Sequence, residues 1–346
     1  MSSGEPPVHA KVAFFFESDM IAQRMRNERH IFFRDPYGTF PFKLHHAGTS
    51  QLIEWAGIGG DRCRALEQEL ALGDVGSPML CSLAQVPELI SHHGAALPAL
   101  FIFHASRCGS SLAAAHFESD PGNRVFFEPL TLTHYLLGRR WEIRTETTRN
   151  LIAAHGLGAA RRPSRLIIKF TSRVTPFAAR IREAFPEVPT LFLYREPVEI
   201  LASLWQSLPG YLTTEPSSVT RGYLGVSESM TLLPEELAAR VVQRTLETVA
   251  ESPETFDYLV NYNELAGEIK RVEGLCSGGS DRSQTRLKQK ESTHRQRMDV
   301  LGRFIPDGKE KRDKASARLH AICQKLKLDF QYERINSVSK MRRMKI

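Results

Sequence analysis

The sequence predicts an α/β fold: a doubly wound, mostly parallel sheet preceded by an N-terminal extension. Four short runs read almost continuously in apolar residues, as strands buried on both faces of a parallel sheet do: 99–103, 165–170, 189–194 and 256–262. Helical stretches lie between and around them, at 110–117, 175–185, 197–207 and 234–249. Strands that alternate with helices in this way indicate a doubly wound sheet.

The pattern divides the 346 residues into three parts. Residues 1–94 show no clear period, and turn-rich stretches separate their apolar pieces, so we expect an N-terminal extension or small subdomain. Residues 95–335 carry the alternating strands and helices of the main domain. Residues 336–346 are basic and close the chain, and we expect them to form a disordered tail.

The net charge of +7 favours anionic partners. Eleven Lys or Arg residues stand against five Asp or Glu residues between Arg282 and Lys314. A nucleic-acid surface would interleave aromatic residues for stacking, and this stretch offers Phe304 alone. We therefore expect small phosphorylated ligands as partners and no nucleic acid.

The cysteines and the apolar runs indicate a cytoplasmic protein. The five cysteines have no paired spacing and no CxxC motif, which predicts reduced thiols and neither disulfides nor a zinc site. The N-terminal apolar run, 12–16, is too short for a signal peptide. The longest apolar run, around 95–103, is broken by Pro98 and is too short to span a bilayer, so we expect no membrane insertion.

A loop of small residues follows the first strong strand. Residues 101–112 read FIFHASRCGSSL, a strand, a loop and a helix start, which together present backbone N–H groups to an anion. Gly109 permits close approach, Ser110 and Ser111 add hydroxyl groups, and Arg107 adds a planar charged fork. The loop is not a Walker A motif, because Ser110 stands where Lys would follow the last glycine. The alternative is a purely structural turn.

The run SRCGSS at 106–111 resembles the 5′-phosphosulfate loop of sulfotransferases. It is nearer the branch that carries Arg in an RxGSS pattern than the cytosolic branch that carries Lys. The family uses 3′-phosphoadenosine 5′-phosphosulfate (PAPS) on a fold of the P-loop nucleoside-triphosphate-hydrolase type, and it needs no metal. The resemblance implies that the 5′-phosphosulfate is bound by Arg107, Cys108, Gly109, Ser110 and Ser111.

A second motif stands at 191–205, LFLYREPVEILASLW. Arg195 ends an apolar strand, at the edge where open α/β sheets bind ligands, and Ser203 follows eight residues later. This spacing resembles the family's 3′-phosphate motif and implies that Arg195 and Ser203 hold the 3′-phosphate. The alternatives are an ion pair of Arg195 with Glu196 or Glu199 and a purely structural Ser203 on its own helix.

Sulfuryl transfer needs a group that takes the acceptor's proton and cations that stabilise the leaving nucleotide. Cytosolic sulfotransferases place His two residues after a strand-end Lys; here Lys169 is present, but Thr171 occupies the His position. Residues 125–130, VFFEPL, resemble the Glu-Pro motif of other branches. Desolvation by the apolar approach is expected to raise the pKa of Glu128. The candidate catalytic residues are therefore Glu128 as base, with Lys169 and Arg107 as cations.

Other interpretations remain open at several of these positions. Glu128 could instead neutralise Arg107, or end a Walker B strand that holds Mg²⁺ in a degenerate nucleotide-binding protein. Cys108 could be a small filler or a thiol with a lowered pKa, and His104 could donate to phosphate. The family's basic nucleotide loop is missing, and its candidate replacements are Lys288, Lys290 and Arg295.

The sequence thus predicts that 95–335 form a sulfotransferase-like P-loop domain. The predicted reaction moves a sulfuryl group from PAPS to a hydroxyl or amine of a small-molecule or glycan acceptor, without a metal. The alternative function is that of a non-catalytic or kinase-like P-loop protein that binds a nucleotide.

Overall fold

The computed structural model describes residues 39–47, 50–57, 79–138, 142–157, 165–207, 223–224, 233–276 and 307–344. Strands in these ranges form two sheets. The smaller sheet is antiparallel, has three strands in the order β1-β2-β3, and comes from the N-terminal region: β1 (Thr39–Ala47), β2 (Ser50–Gly57) and β3 (Met79–Ser82).

The larger sheet is parallel and has the order β5-β6-β4-β7-β8. Its strands are β4 (Leu97–His104), β5 (Asn123–Phe127), β6 (Arg165–Lys169), β7 (Thr190–Tyr194) and β8 (Tyr258–Asn261). The four apolar runs of the sequence are four of these strands, and the predicted doubly wound parallel sheet is confirmed. The fifth strand, β5, lies at the edge and leads directly into Glu128.

Helices of the described ranges cover the sheet and close the chain. They are α1 (Val86–His93), α2 (Ser110–Glu118), α3 (Leu130–Leu137), α4 (Thr145–Gly156), α5 (Ala178–Ala184), α6 (Pro197–Gln206), α7 (Pro234–Glu251), α8 (Leu265–Cys276), α9 (Gly308–Asp313), α10 (Ala317–Lys325) and α11 (Leu328–Arg343). The helix expected at 175–185 begins later, because Pro176 lies in a 3₁₀ turn that precedes α5. None of the helices described is both long and apolar enough to cross a bilayer.

The central strand β4 is buried on both faces of the sheet. Phe101 and Phe103 enter a large core with helices such as α4, α6 and α7. Leu100 and Ile102 point the other way, into a smaller core formed with α2 and α8. Side chains of a strand alternate between faces, so the near-continuous apolar run follows from this double covering.

The described parts of the N-terminal region pack onto the main domain. β1 lies beside α3 and α4, and α1 packs against α4. Ile53 of β2 is fully buried and belongs to the large core. The three-stranded sheet therefore extends the hydrophobic core of the main domain.

The C-terminal residues are helical where the sequence predicted a disordered tail at 336–346. Helix α11 continues to Arg343. The hydroxyl of Ser339 donates to the Leu259 carbonyl at 2.7 Å, and Arg342 donates to the Phe256 carbonyl at 2.5 Å. The prediction is wrong up to Arg343, because buried Ile335 and these backbone contacts tie the basic helix to β8.

We expect Gly156 to be required for the contact between α4 and β4. A Cβ at Gly156 would lie 2.2 Å from the carbonyl oxygen of Ala96, whose N–H donates to the Gly156 carbonyl at 2.9 Å. Gly156→Ala should lower the free energy of unfolding by about 1–3 kcal/mol, as overpacking of a core does. The measurement is unfolding in urea.

The matched control is Gly267→Ala in α8, where an added Cβ would meet nothing within 4 Å. This change should leave the free energy of unfolding unchanged or raise it by up to about 1 kcal/mol, because alanine favours the helix. Equal effects of the two substitutions would show that the contact with Ala96 imposes no constraint.

Candidate functional site

The loop between β4 and α2 has a strained backbone. Ser106 and Arg107 have φ angles of 68° and 48°, and Gly109, the N-cap of α2, has a φ of 81°. Side chains disfavour left-handed backbone, so two such residues in succession persist only where their surroundings hold them. Glu128, with a φ of 53°, is a third strained residue at this edge of the sheet.

Contacts from neighbouring segments hold this loop. The Ser106 N–H donates to Nδ1 of His104 at 3.0 Å, and the Ser106 hydroxyl donates to that of Ser172 at 2.7 Å. Nη1 of Arg195 donates to the Arg107 carbonyl at 3.2 Å. The strained conformation is therefore fixed by β4, by the segment after β6 and by the end of β7.

The start of α2 can bind an anion. Its first backbone bond runs from the Ala113 N–H to the Gly109 carbonyl at 3.0 Å, so the amides of Ser110, Ser111 and Leu112 have no acceptor within the helix. These amides and the positive end of the helix dipole form a place for a negatively charged group. The Ser110 side chain is buried and Ser111 is half-buried beside them.

Gly109 is required by both its backbone and its neighbours. Its φ of 81° is left-handed, and a Cβ there would lie 2.6 Å from Cδ2 of Leu265 and 3.2 Å from the ring of Tyr262. The loop is thus pressed against the start of α8 and the turn before it.

Arg107 and Cys108 have opposite surroundings. Arg107 is exposed, and its Nη2 donates to the Ser207 carbonyl at 2.7 Å, at the end of α6. Cys108 is fully buried, its Sγ donates to the Leu193 carbonyl at 3.2 Å, and burial raises its pKa to about 11. The thiol is therefore protonated at neutral pH and fills space, and the alternative of a lowered pKa is wrong.

Two opposite charges meet at the ends of β5 and β6. The Glu128 N–H donates to the Lys169 carbonyl at 2.6 Å, and the Lys169 ammonium donates to the Glu128 carboxylate. The Lys169 side chain is 3% exposed and the Glu128 side chain 41% exposed. The ammonium is thus enclosed, while the carboxylate can be reached from solvent.

The pKa of Glu128 is lowered, contrary to the sequence-based expectation. Burial raises it, as expected, but the Lys169 ammonium and the contact with His104 outweigh burial. The carboxylate is ionised at neutral pH and is a weak base as long as Lys169 remains beside it. The expectation of a raised pKa is therefore wrong for this arrangement, and the role of Glu128 as base stays a prediction.

His104 completes this cluster at the end of β4. Its ring is 5% exposed, and its Nε2 lies 3.5 Å from Oε1 of Glu128. Burial and the nearby Lys169 ammonium lower its pKa, so the imidazole is neutral at pH 7. His104 therefore faces the Glu128 carboxylate.

Arg195 is buried in an ion-pair network. Its guanidinium donates to the Glu199 carboxylate at 2.7 Å and to the Asp307 carboxylate at 2.6 Å, and it lies 4.0 Å from the ring centre of Tyr262. The pairing with Glu199, an alternative considered for Arg195, is therefore present, but as a buried contact. Ser203, also buried, lies four residues after Glu199 on the same face of α6.

Helix α9 packs closely against this network and adds hydrogen bonds to it. A Cβ at Gly308 would lie 2.7 Å from both carboxylate oxygens of Glu199, and Arg312 bonds to Glu199 at 2.8 Å and to Glu196. No local sequence pattern indicates Asp307, which lies 112 residues from Arg195. The candidates Lys288, Lys290 and Arg295 lie outside the described residues.

The paired charges of the site disfavour a divalent cation. Within the ranges described, no group of three or more His, Cys, Asp or Glu residues could hold a metal ion. Glu128, the possible Walker B carboxylate, is paired with Lys169, whose positive charge would repel a divalent cation.

The chain has structural likeness to two sulfotransferase domains. The domain from the curacin biosynthetic pathway has 13% identity and a TM-score of 0.37, over 67% of this chain and 99% of that one. The domain from the Synechococcus PCC 7002 olefin synthase has 14% identity and a TM-score of 0.34, over 67% and 94%. No protein-family model and no curated protein matches the sequence. Likeness at this level carries no argument about activity, which must rest on the residues themselves.

The lowered pKa of Glu128 predicts a pH-dependent contribution to stability. A carboxylate with a lowered pKa in the folded protein stabilises it above its ordinary pKa, about 4.3, and this contribution is lost as the pH falls through the folded value. Glu128→Gln also leaves the Lys169 ammonium buried without its counter-charge. The stability difference between wild type and variant should therefore be largest above about pH 5 and shrink at lower pH.

Urea unfolding followed by tryptophan fluorescence between neutral and acidic pH measures this difference. A stability difference that stays constant over the whole range would contradict the ionised, paired state of Glu128.

Proposed function

We propose that this protein is a sulfotransferase that moves a sulfuryl group from PAPS to a hydroxyl or amine of a small-molecule or glycan acceptor. The observation that carries the proposal is the meeting of the Lys169 ammonium and the Glu128 carboxylate beside the strained loop that precedes α2, whose first amides could bind an anion. Sulfuryl transfer needs these three functions together: an anion site, a cation at the leaving oxygen and a proton acceptor.

In this proposal the 5′ end of the nucleotide binds at the loop between β4 and α2. The amides of Ser110, Ser111 and Leu112 would bind its negatively charged oxygens, with the hydroxyl groups of the two serines as further donors. Arg107 is exposed and can turn from the Ser207 carbonyl towards the ligand. Cys108 supports the loop through packing.

The chemistry requires the two charges of the ion pair to part. PAPS supplies an electrophilic sulfur and a nucleotide leaving group. The acceptor oxygen or nitrogen bonds to sulfur, the bond from sulfur to the bridging oxygen breaks with its electron pair on the nucleotide, and Glu128 takes the acceptor's proton. Lys169 stabilises the charge on the bridging oxygen. Once the ammonium leaves the carboxylate, burial raises the pKa of Glu128 and makes it a better base.

The 3′-phosphate fits Arg195 and Ser203 only after Asp307 has moved. In the free protein the Asp307 carboxylate accepts a hydrogen bond from Nη2 of Arg195, and the Glu199 carboxylate accepts one from Nε. Glu199 is fully buried, whereas Asp307 is partly exposed and comes from a separate segment. A dianionic phosphate would take the place of the Asp307 carboxylate on the guanidinium.

The alternative function, a kinase-like or non-catalytic nucleotide-binding protein, would use the same loop. It would need Mg²⁺ near the phosphates, and the Lys169 ammonium beside Glu128 disfavours this. The absence of nucleic acid as partner and the cytoplasmic location stay predictions.

The proposal predicts that adenosine 3′,5′-bisphosphate binds more tightly than 5′-AMP. It also predicts that this difference in affinity increases when Asp307, which competes with the 3′-phosphate for Arg195, loses its charge. Asp307→Asn removes the charge that competes for Arg195 and keeps an oxygen for the bonds from Arg195 and Tyr262. A charge-assisted hydrogen bond is typically worth about 1.5–3 kcal/mol, so the bisphosphate should bind about tenfold or more tightly to the variant. The affinity for 5′-AMP should not change. Calorimetric titration measures both.

The matched control is Asp313→Asn, an exposed carboxylate of α9, which should alter neither affinity. Arg195→Ala is a poorer test, because it would remove a buried charge partner of Glu199, which would keep its contact with Arg312, and would impair folding. A wild-type protein that binds the two nucleotides equally would refute the assignment of a 3′-phosphate site.

A further inference from the structure

His104 is the member of the charged cluster to which the proposed reaction gives no role. Its backbone ends β4, and the Thr175 hydroxyl donates to its carbonyl at 3.4 Å. The groups that face its ring come from neighbouring elements: Lys169 from β6, the Phe170 backbone just after β6, and Glu128 from the end of β5.

One ring nitrogen of His104 has a fixed role. The Ser106 N–H donates to Nδ1 at 3.0 Å, so Nδ1 must present its lone pair. In a neutral imidazole the proton is then on Nε2. The ring is neutral because burial and Lys169 lower its pKa. The contact that holds the strained loop therefore also determines that Nε2 is a hydrogen-bond donor.

The Nε2–H lacks a well-formed bond. Among the described residues it has no hydrogen-bond partner, and the carboxylate oxygen Oε1 of Glu128 lies 3.5 Å away. A buried donor without an acceptor costs free energy. The same oxygen already accepts from the Lys169 ammonium, which lies closer. The Nε2–H of His104 and the Lys169 ammonium thus compete for one oxygen, and in the free protein the ammonium makes the shorter contact.

We propose that His104 is a positioning residue for Glu128: its Nε2–H takes over the carboxylate oxygen when the Lys169 ammonium turns to the ligand. The inference rests on the proposed function for that movement of Lys169. A shift of about 0.5 Å brings the 3.5 Å contact to an ordinary hydrogen-bond length. A neutral donor keeps the carboxylate in place without the full positive charge that holds its basicity down.

Two substitutions separate this role from support of the loop. His104→Asn keeps an oxygen near the position of Nδ1 for the Ser106 N–H but has no group at the position of Nε2. His104→Gln places an amide donor near the position of Nε2 and loses the acceptor for Ser106. A purely structural histidine would be replaced better by Asn, and a positioning histidine better by Gln.

The readout is the pKa of Glu128, measured by ¹³C NMR of its carboxyl carbon. Lys169→Met serves as the background, because it removes the ammonium as the proposed movement would. In this background His104→Asn should raise the pKa of Glu128 by about one unit, the value of one neutral hydrogen bond, and His104→Gln should leave it unchanged. Equal values for the Asn and Gln variants would overturn the inference.

A second measurement uses the wild-type protein and needs no variant to fold. The ¹⁵N spectrum of His104 at neutral pH should show a protonated Nε2 and an unprotonated Nδ1. A proton on Nδ1, or on both nitrogens, would also overturn the inference. Neither experiment contains a nucleotide, so a failure of the bisphosphate to bind would count against the proposed function and not against these results.

Discussion

The buried guanidinium of Arg195 joins segments that are far apart in the sequence. It donates to the carbonyl of Arg107 in the loop, to Glu199 on α6 and to Asp307 before α9, and it lies over the ring of Tyr262. Each of these contacts satisfies part of a charge that would otherwise be costly to bury. The strained loop, the start of α6 and the C-terminal segment therefore depend on one another through this side chain.

This dependence gives the C-terminal segment a role in the site. Asp307 accepts a hydrogen bond from Arg195, α9 packs on α6, and α10 and α11 pack on both α6 and α7. A ligand that takes Asp307 from Arg195 would loosen the contact of α9 with α6, to which Arg312 and Lys311 also contribute hydrogen bonds. Nucleotide binding and the order of the C-terminal segment are thus expected to be coupled.

The second constraint is the ion pair of Lys169 and Glu128. A parallel sheet brings the carboxyl ends of β4, β5 and β6 to one edge, and each of these ends carries a polar residue: His104, Glu128 and Lys169. In the free protein Glu128 is stabilised as a carboxylate and is a weak base. Basicity would develop with ligand binding, because only then does the ammonium have another partner.

The sequence was sufficient for the parallel sheet and for the loop, because both are local patterns. Apolar runs such as 99–103 report burial on two faces, and a strand, a small-residue loop and a helix start can be recognised within about a dozen residues. The tail was mispredicted for the opposite reason. Its basic composition suggests disorder, but Ile335 and Ser339 are buried by contacts with a strand some eighty residues earlier.

The charged partners could not be predicted from local sequence either. The apolar surroundings of Glu128 suggested a raised pKa, and only the position of Lys169, on the neighbouring strand, reverses the direction. Asp307 meets Arg195 across 112 residues of sequence, and no spacing rule connects them. Electrostatics of this kind depend on strand order and on packing, which a linear pattern does not contain.

The central claim is that the loop binds a phosphosulfate nucleotide without a metal. Calorimetric titration of the wild-type protein with adenosine 3′,5′-bisphosphate in excess EDTA, and with ATP in the presence of Mg²⁺, tests it most directly. The claim predicts that the bisphosphate binds equally well with and without EDTA and more tightly than ATP. Binding that requires Mg²⁺ and favours ATP would contradict the claim.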